Sequence, residues 1–174
     1  MLDEIKAQLP DFAKDLKLNL DRVLTTDPNS KLNITQIYAA ALCVAYATKN
    51  KSLMNALIAE NQLDDAQQQA AKASASIMAM NNIYYRFIHL TGDTEMQNLP
   101  ANLRMNVLAN PGIERIDFEI NNLAVSIFNG CEYCVQAHTR VLNKAGFSKT
   151  TIQHIGRITA VINGVAQVLA IANP

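Results

Sequence analysis

Apolar residues recur at three- and four-residue spacing along nearly the whole chain, the repeat of helices that each bury one face. Glycine and proline, at six and five of 174 residues, rarely interrupt it. The pattern predicts an all-α fold. A first helix is expected over about residues 2–20, kinked or divided at Pro10, where a backbone donor is missing. Asp27-Pro28-Asn29-Ser30 reads as a turn, followed by helices over about 35–47, 52–59 and 64–90, the last capped by Asp64. Residues 91–100 read as a connector, with a short helix over about 103–108 and a break at Pro111-Gly112. Helices over about 115–128, 131–145 and 149–171 complete the chain, separated by Gly130 and Gly146, with Ser148 capping the last.

The length fits one compact domain, residues 1–174. Ile37-Tyr38-Ala39-Ala40-Ala41-Leu42 aligns with Ile120-Asn121-Asn122-Leu123-Ala124-Val125, which divides the chain into pseudo-duplicated halves, about 1–92 and 100–174. Under that alignment Gln36 faces Glu119, Thr48 faces Cys131, Lys51 faces Cys134 and Asn55 faces His138, so only the second half carries reactive groups. Helical periodicity alone also generates such matches.

Composition narrows the function classes. With 49% hydrophobic and 17% charged residues, the chain has ample surface to bury and no mark of disorder. Fifteen basic residues balance fifteen acidic ones without clustering, which removes the electrostatic case for nucleic acid or anionic membrane. The longest apolar run, residues 37–47, is shorter than the roughly 20 residues that span a bilayer, and the amino terminus lacks a secretory stretch. A cytoplasmic protein is expected. The strongly apolar helices around 37–47 and 161–171 favour a homo-oligomer. No phosphate loop, dinucleotide fingerprint or nucleophile elbow is present.

Two of the three cysteines form Cys131-Glu132-Tyr133-Cys134, a spacing that in a cytoplasmic protein points to redox chemistry or metal. On a helix, Cys131, Cys134 and His138 fall within an arc of about 60°. Gly130 puts the cysteines at a helix start, where free N–H groups and the helix dipole favour a thiolate. His138, one turn beyond Cys134, can take or return its proton. One sulfur can then be oxidised while the other resolves it, without a bound cofactor. Three alternatives stay open: buried structural cysteines, a zinc site made of Cys131, Cys134, His138 and Glu119, and a redox sensor that oxidises without turnover.

Glu119 lies at the edge of the stripe Ile116, Ile120, Leu123 and Ile127, either solvated or half-buried and free to orient His138. Cys43 reads as core, His154, opposite Ile152, as solvated, and His89 as a partner of terminal carbonyls. Tyr84-Tyr85-Arg86-Phe87 reads as packing with an outward arginine.

The string Asn129-Gly130-Cys131-Glu132-Tyr133-Cys134-Val135-Gln136-Ala137-His138, with Glu119 twelve residues before the first cysteine, resembles the alkyl hydroperoxidase D and carboxymuconolactone decarboxylase superfamily. Asn81-Asn82-Ile83-Tyr84-Tyr85-Arg86-Phe87 also resembles the first half of an alkyl hydroperoxidase D. The resemblance implies a helical fold with pseudo-duplicated halves, commonly a trimer, that reduces organic hydroperoxides or the disulfide of a partner peroxiredoxin. It implies no bound cofactor and a dihydrolipoyl protein as electron donor. Carried over by position, Glu119 and His138 relay a proton to Cys134, the peroxidatic nucleophile, which becomes a sulfenic acid. Cys131 resolves it as a disulfide. Its place nearer the helix start separately predicts that Cys131 is the sulfur the donor attacks. Tyr133 departs from the better-known peroxidase pattern, where a histidine lies between the cysteines, so dithiol chemistry is implied more firmly than a particular peroxide. Decarboxylase activity is not implied, because that branch does not depend on paired cysteines.

Overall fold

The run from Ile37 to Ala45 contains no charged side chain, and a helix with no polar face has to be enclosed on all sides. In the computed structural model, which describes residues 1–172, it is the central helix, α3 (Ile34–Thr48), and every residue from Ile37 to Ala45 is buried. A capping box starts it: Asn33 accepts from the Gln36 N–H, and the Gln36 side chain accepts from the Asn33 N–H. Before it, Pro10 divides the expected first helix into α1 (Leu2–Gln8) and α2 (Lys14–Val23), with a 3₁₀ turn, Asp11–Ala13, between them. After it come α4 (Lys51–Ala59) and α5 (Asp65–Thr91), whose own capping box uses Asp64 and Gln67.

Two local readings are corrected. The connector contains a short helix, α6 (Thr94–Asn98), because Asp93 accepts from the N–H groups of Glu95 and Met96 and so nucleates a turn. The helix expected over 103–108 is reduced to a 3₁₀ turn, Asn106–Leu108, behind Met105, whose φ of −135° and ψ of 34° lie outside the helical region.

The second half consists of α7 (Arg115–Phe128), α8 (Glu132–Lys144) and α9 (Lys149–Ala172), the last capped by the Ser148 hydroxyl, which accepts from the Thr151 N–H. Helices α5, α7 and α9 surround α3, and one hydrophobic cluster takes in residues from Leu2 to Leu169. By length and composition α9 is apolar enough to cross a membrane, yet half of its apolar window is buried in this cluster. Its exposed positions include Thr150, Gln153, Arg157, Asn163 and Gln167.

His154 is not solvated: it is 2% exposed, with Nδ1 2.9 Å from the Ser30 hydroxyl and Nε2 3.1 Å from the Val23 carbonyl. The loop after α2 folds over it, which the periodicity of α9 alone does not reveal. Burial holds its pKa below the ordinary value of 6.5, although the Val23 carbonyl works in the opposite direction. The unfolded chain therefore binds this proton more readily. The stability tied to neutral His154 is complete above pH 6.5 and is lost as pH falls toward the lowered native value. Urea midpoints should decline on acidification below that point, and His154→Gln should flatten that part of the curve.

Candidate active site

Helix α7 stops at Phe128, and Gly130, at φ 64°, turns the chain sharply into α8. Cys131 is the residue that caps α8 rather than part of it: its Sγ accepts from the Cys134 N–H at 3.3 Å. Sulfur thus takes the place usually held by a serine or aspartate oxygen. The Cys131 and Cys134 sulfurs lie in disulfide contact, with Cα atoms 5.3 Å apart. Both residues are enclosed, Cys131 at 0% and Cys134 at 5% exposure.

One turn further, His138 Nδ1 lies 2.6 Å from Glu119 Oε2, and both side chains are about 85% buried, at 14% and 15% exposure. Glu119 is therefore not a solvated edge residue. A short contact of this kind holds the proton on Nδ1 and leaves Nε2 as the nitrogen free for other chemistry. His138 and Cys134 line one open hollow of about 180 Å³, bordered by Met78, Asn81 and Tyr85 from α5 and by Met105 and Leu108 from the loop before α7. The structure brings Cys131, Cys134, His138 and Glu119 together, as the sequence predicts. Among the described residues, no group of three or more His, Cys, Asp or Glu side chains is arranged to hold a metal ion.

Tyr133, between the cysteines, lines the same hollow and stacks on Tyr85, with centroids 5.3 Å apart and planes 22° from parallel. The two rings also border a second hollow of about 410 Å³, lined by Tyr84, Ile88, His89, Met96 and Leu99 among others. They form a wall between that hollow and the sulfur cavity. His89 faces Glu132 at 3.5 Å rather than helix-terminal carbonyls. Cys43 lies in the core at 0% exposure, where burial pushes its thiol far above the ordinary range.

A polar network beneath the site escapes sequence reading. Arg86 does not point outward: its Nη1 donates to the Asn129 carbonyl at 2.6 Å, just before the turn at Gly130. Asn129 Nδ2 donates to Asn82 Oδ1 at 2.9 Å, and Asn82 Nδ2 donates to the Ser126 hydroxyl at 3.0 Å. Ser74 donates to Asn122 Oδ1 at 2.8 Å, again joining α5 to α7. The available signal was Asn81-Asn82 itself, two weak helix formers in the middle of a long helix.

The carboxymuconolactone decarboxylase family model matches residues 94–174. A protein of Coxiella burnetii named alkyl hydroperoxide reductase AhpD is 59% identical over 99% of both chains. One of that name from Rhodospirillum centenum is 49% identical over 97% of this chain and 90% of its own. Another, from Brucella canis, is 42% identical over 99% of this chain and 98% of its own. With a tightly hydrogen-bonded Glu119–His138 pair beside a Cys-x-x-Cys helix cap, and with relatives matched end to end, the chain belongs to the alkyl hydroperoxidase D group of the carboxymuconolactone decarboxylase superfamily.

Proposed function

We propose that the chain is an alkyl hydroperoxide reductase working through a Cys131/Cys134 dithiol cycle with a Glu119–His138 proton relay. The observation that carries this reading is the shared cavity of Cys134 and His138, with His138 held by Glu119 at 2.6 Å. The Cys134 thiolate attacks the distal oxygen of a hydroperoxide and the O–O bond breaks. Its electron pair leaves on the alkoxide, which takes a proton from His138 Nε2 and departs as alcohol. Cys134 is now a sulfenic acid. The Cys131 thiolate attacks that sulfur, the S–O bond breaks, and the hydroxide is protonated to water as the disulfide forms.

A donor dithiol restores the pair, and a dihydrolipoyl protein supplies it. Burial favours donor entry at Cys134, which lines the cavity, over entry at Cys131, which has no exposed surface. Attack there expels Cys131 as a thiolate, a good leaving group because its Sγ sits at the start of α8 and accepts the Cys134 N–H. The donor's second thiol then releases Cys134. The same reduced pair can pass electrons to the disulfide of a partner peroxiredoxin. No bound cofactor is needed for any of these steps.

We place the protein in the cytoplasm as one domain that forms a homo-oligomer, a trimer in keeping with its group. The apolar helices α3 and α9 do not support the oligomer, since their apolar residues are taken up by the chain's own core. Support comes from α5, where Ile83, Phe87 and Leu90 stand on one face at 57%, 51% and 76% exposure. Sedimentation at a single-chain mass would remove it.

Consumption of cumene hydroperoxide coupled to dihydrolipoamide tests the function. Sustained turnover is expected. A dithiol that oxidises once and does not cycle would replace the enzyme with a redox sensor.

A further inference from the structure

Three hydrogen bonds link α5 to the turn that carries Cys131. Arg86 Nη1 donates to the Asn129 carbonyl at 2.6 Å, Asn129 Nδ2 donates to Asn82 Oδ1 at 2.9 Å, and Asn82 Nδ2 donates to the Ser126 hydroxyl at 3.0 Å. Asn82 and Arg86 are one helical turn apart and so share a face of α5. The segment also closes back on itself, because the Cys131 N–H donates to the Ser126 carbonyl at 3.2 Å. Residues 126–131 are therefore held at Ser126, to which Cys131 is tethered, and at Asn129, just before the bend at Gly130. The bond from Arg86 is charge-assisted, among the stronger ones a backbone carbonyl accepts. Cys134 is placed by other means, inside α8 one turn before His138, and neither Asn82 nor Arg86 lines the hollow that those two share.

We propose that Arg86 is a positioning residue for Cys131: through the Asn129 carbonyl it fixes the turn so that the Cys131 sulfur stays within reach of Cys134. In the resolving step Cys131 Sγ attacks the Cys134 sulfenic acid, the S–S bond forms, and the S–O bond breaks to release hydroxide, which is protonated to water. The same placement stabilises the disulfide against a donor dithiol, because the effective concentration of one sulfur at the other rises as the turn is held more narrowly. Arg86 has no part in cleavage of the O–O bond, which belongs to Cys134 and His138. The kinetic side of this assignment rests on the peroxidase reading above, while the equilibrium side rests on the turn alone.

Arg86→Met keeps a long stem and removes the donor. Equilibrated against defined ratios of reduced and oxidised lipoamide, it should shift about tenfold toward the dithiol, a potential about 30 mV less negative. After one equivalent of cumene hydroperoxide, resolution should slow about tenfold, read as a larger share of Cys134 sulfenic acid captured by dimedone. Initial oxidation of Cys134 should stay within about twofold of wild type. Arg86→Lys, which keeps a cationic donor, should recover most of both effects. Asn129→Ala leaves the carbonyl and Arg86 in place, removes only the link to Asn82, and should move the potential in the same direction by less. Ser74→Ala is the contrast: it breaks the Ser74–Asn122 bond, which joins the same two helices away from the turn, and should lower the urea midpoint with the potential unchanged. A more negative potential in Arg86→Met would overturn the assignment, since that is the sign expected if the guanidinium acted only by stabilising a thiolate. Slowed oxidation of Cys134, or an equal shift of potential in Ser74→Ala, would overturn it as well. Wild type that exchanges with lipoamide yet ignores peroxide would instead remove the peroxidase reading, with the shift of potential in Arg86→Met still standing.

Discussion

Cys134→Ser is expected to lower peroxide consumption by at least about 10³-fold, because a serine hydroxyl without a strong base is a far weaker nucleophile than a thiolate. Cys131→Ser should behave differently. It keeps the cavity-facing sulfur and His138, so it should consume one equivalent of peroxide at close to the wild-type rate and then stop. The halted species is a Cys134 sulfenic acid, which dimedone captures and mass spectrometry localises. Supplying dihydrolipoamide to that species should restore turnover through a transient mixed disulfide on Cys134, which the donor's second thiol resolves. The reverse outcome, with Cys134→Ser consuming its first equivalent and Cys131→Ser inert, would exchange the roles of the two cysteines.

The second large effect concerns Glu119. In the proposed relay its carboxylate, 2.6 Å from His138 Nδ1, would fix which nitrogen carries a proton and stabilise the imidazolium formed when the thiol gives up its own. Glu119→Gln preserves much of the shape but removes the charge, and the amide can present an N–H to Nδ1 instead of an acceptor. The rate of peroxide-driven dithiol oxidation should fall about 10- to 100-fold. His138→Ala should cost at least as much. The diagnostic result lies in combination: if Glu119 acts through His138, the double variant should be no slower than His138→Ala alone. Losses that multiply would give Glu119 a separate task and remove the relay.

Long-period features of the fold were legible because helix periodicity needs no partner to be seen. Proline at position 10, aspartate at 64 and glycine at 130 mark breaks and starts through local backbone chemistry alone, and the structure puts boundaries at each. The shared helix face of Cys134 and His138 is legible for the same reason. What was hidden depends on segments far apart in sequence. His154 reads as solvated until Ser30 and Val23 are folded over it. Arg86 reads as solvent-facing until the Asn129 carbonyl is placed 2.6 Å away, and Asn81 is unremarkable until the helix next to it satisfies only Asn82. Tyr133 illustrates both cases: its departure from the usual histidine is visible in the sequence, while its stacking on Tyr85 requires α5 and α8 to be side by side. The apolar excess of α3 and α9 is a sign of burial in either setting, and pattern alone does not distinguish a chain's own core from a subunit interface.

The bond from Arg86 to the Asn129 carbonyl has a consequence for how the molecule divides. Every reactive group lies within the stretch matched by the family model, residues 94–174. The anchor that holds the cysteine turn, and the cavity wall made by Met78, Asn81 and Tyr85, belong to the stretch before it. The earlier stretch thus supplies the surface against which the reactive stretch is set. Truncation before residue 94 would therefore remove the Arg86 anchor and one wall of the cavity while leaving every reactive side chain in the chain.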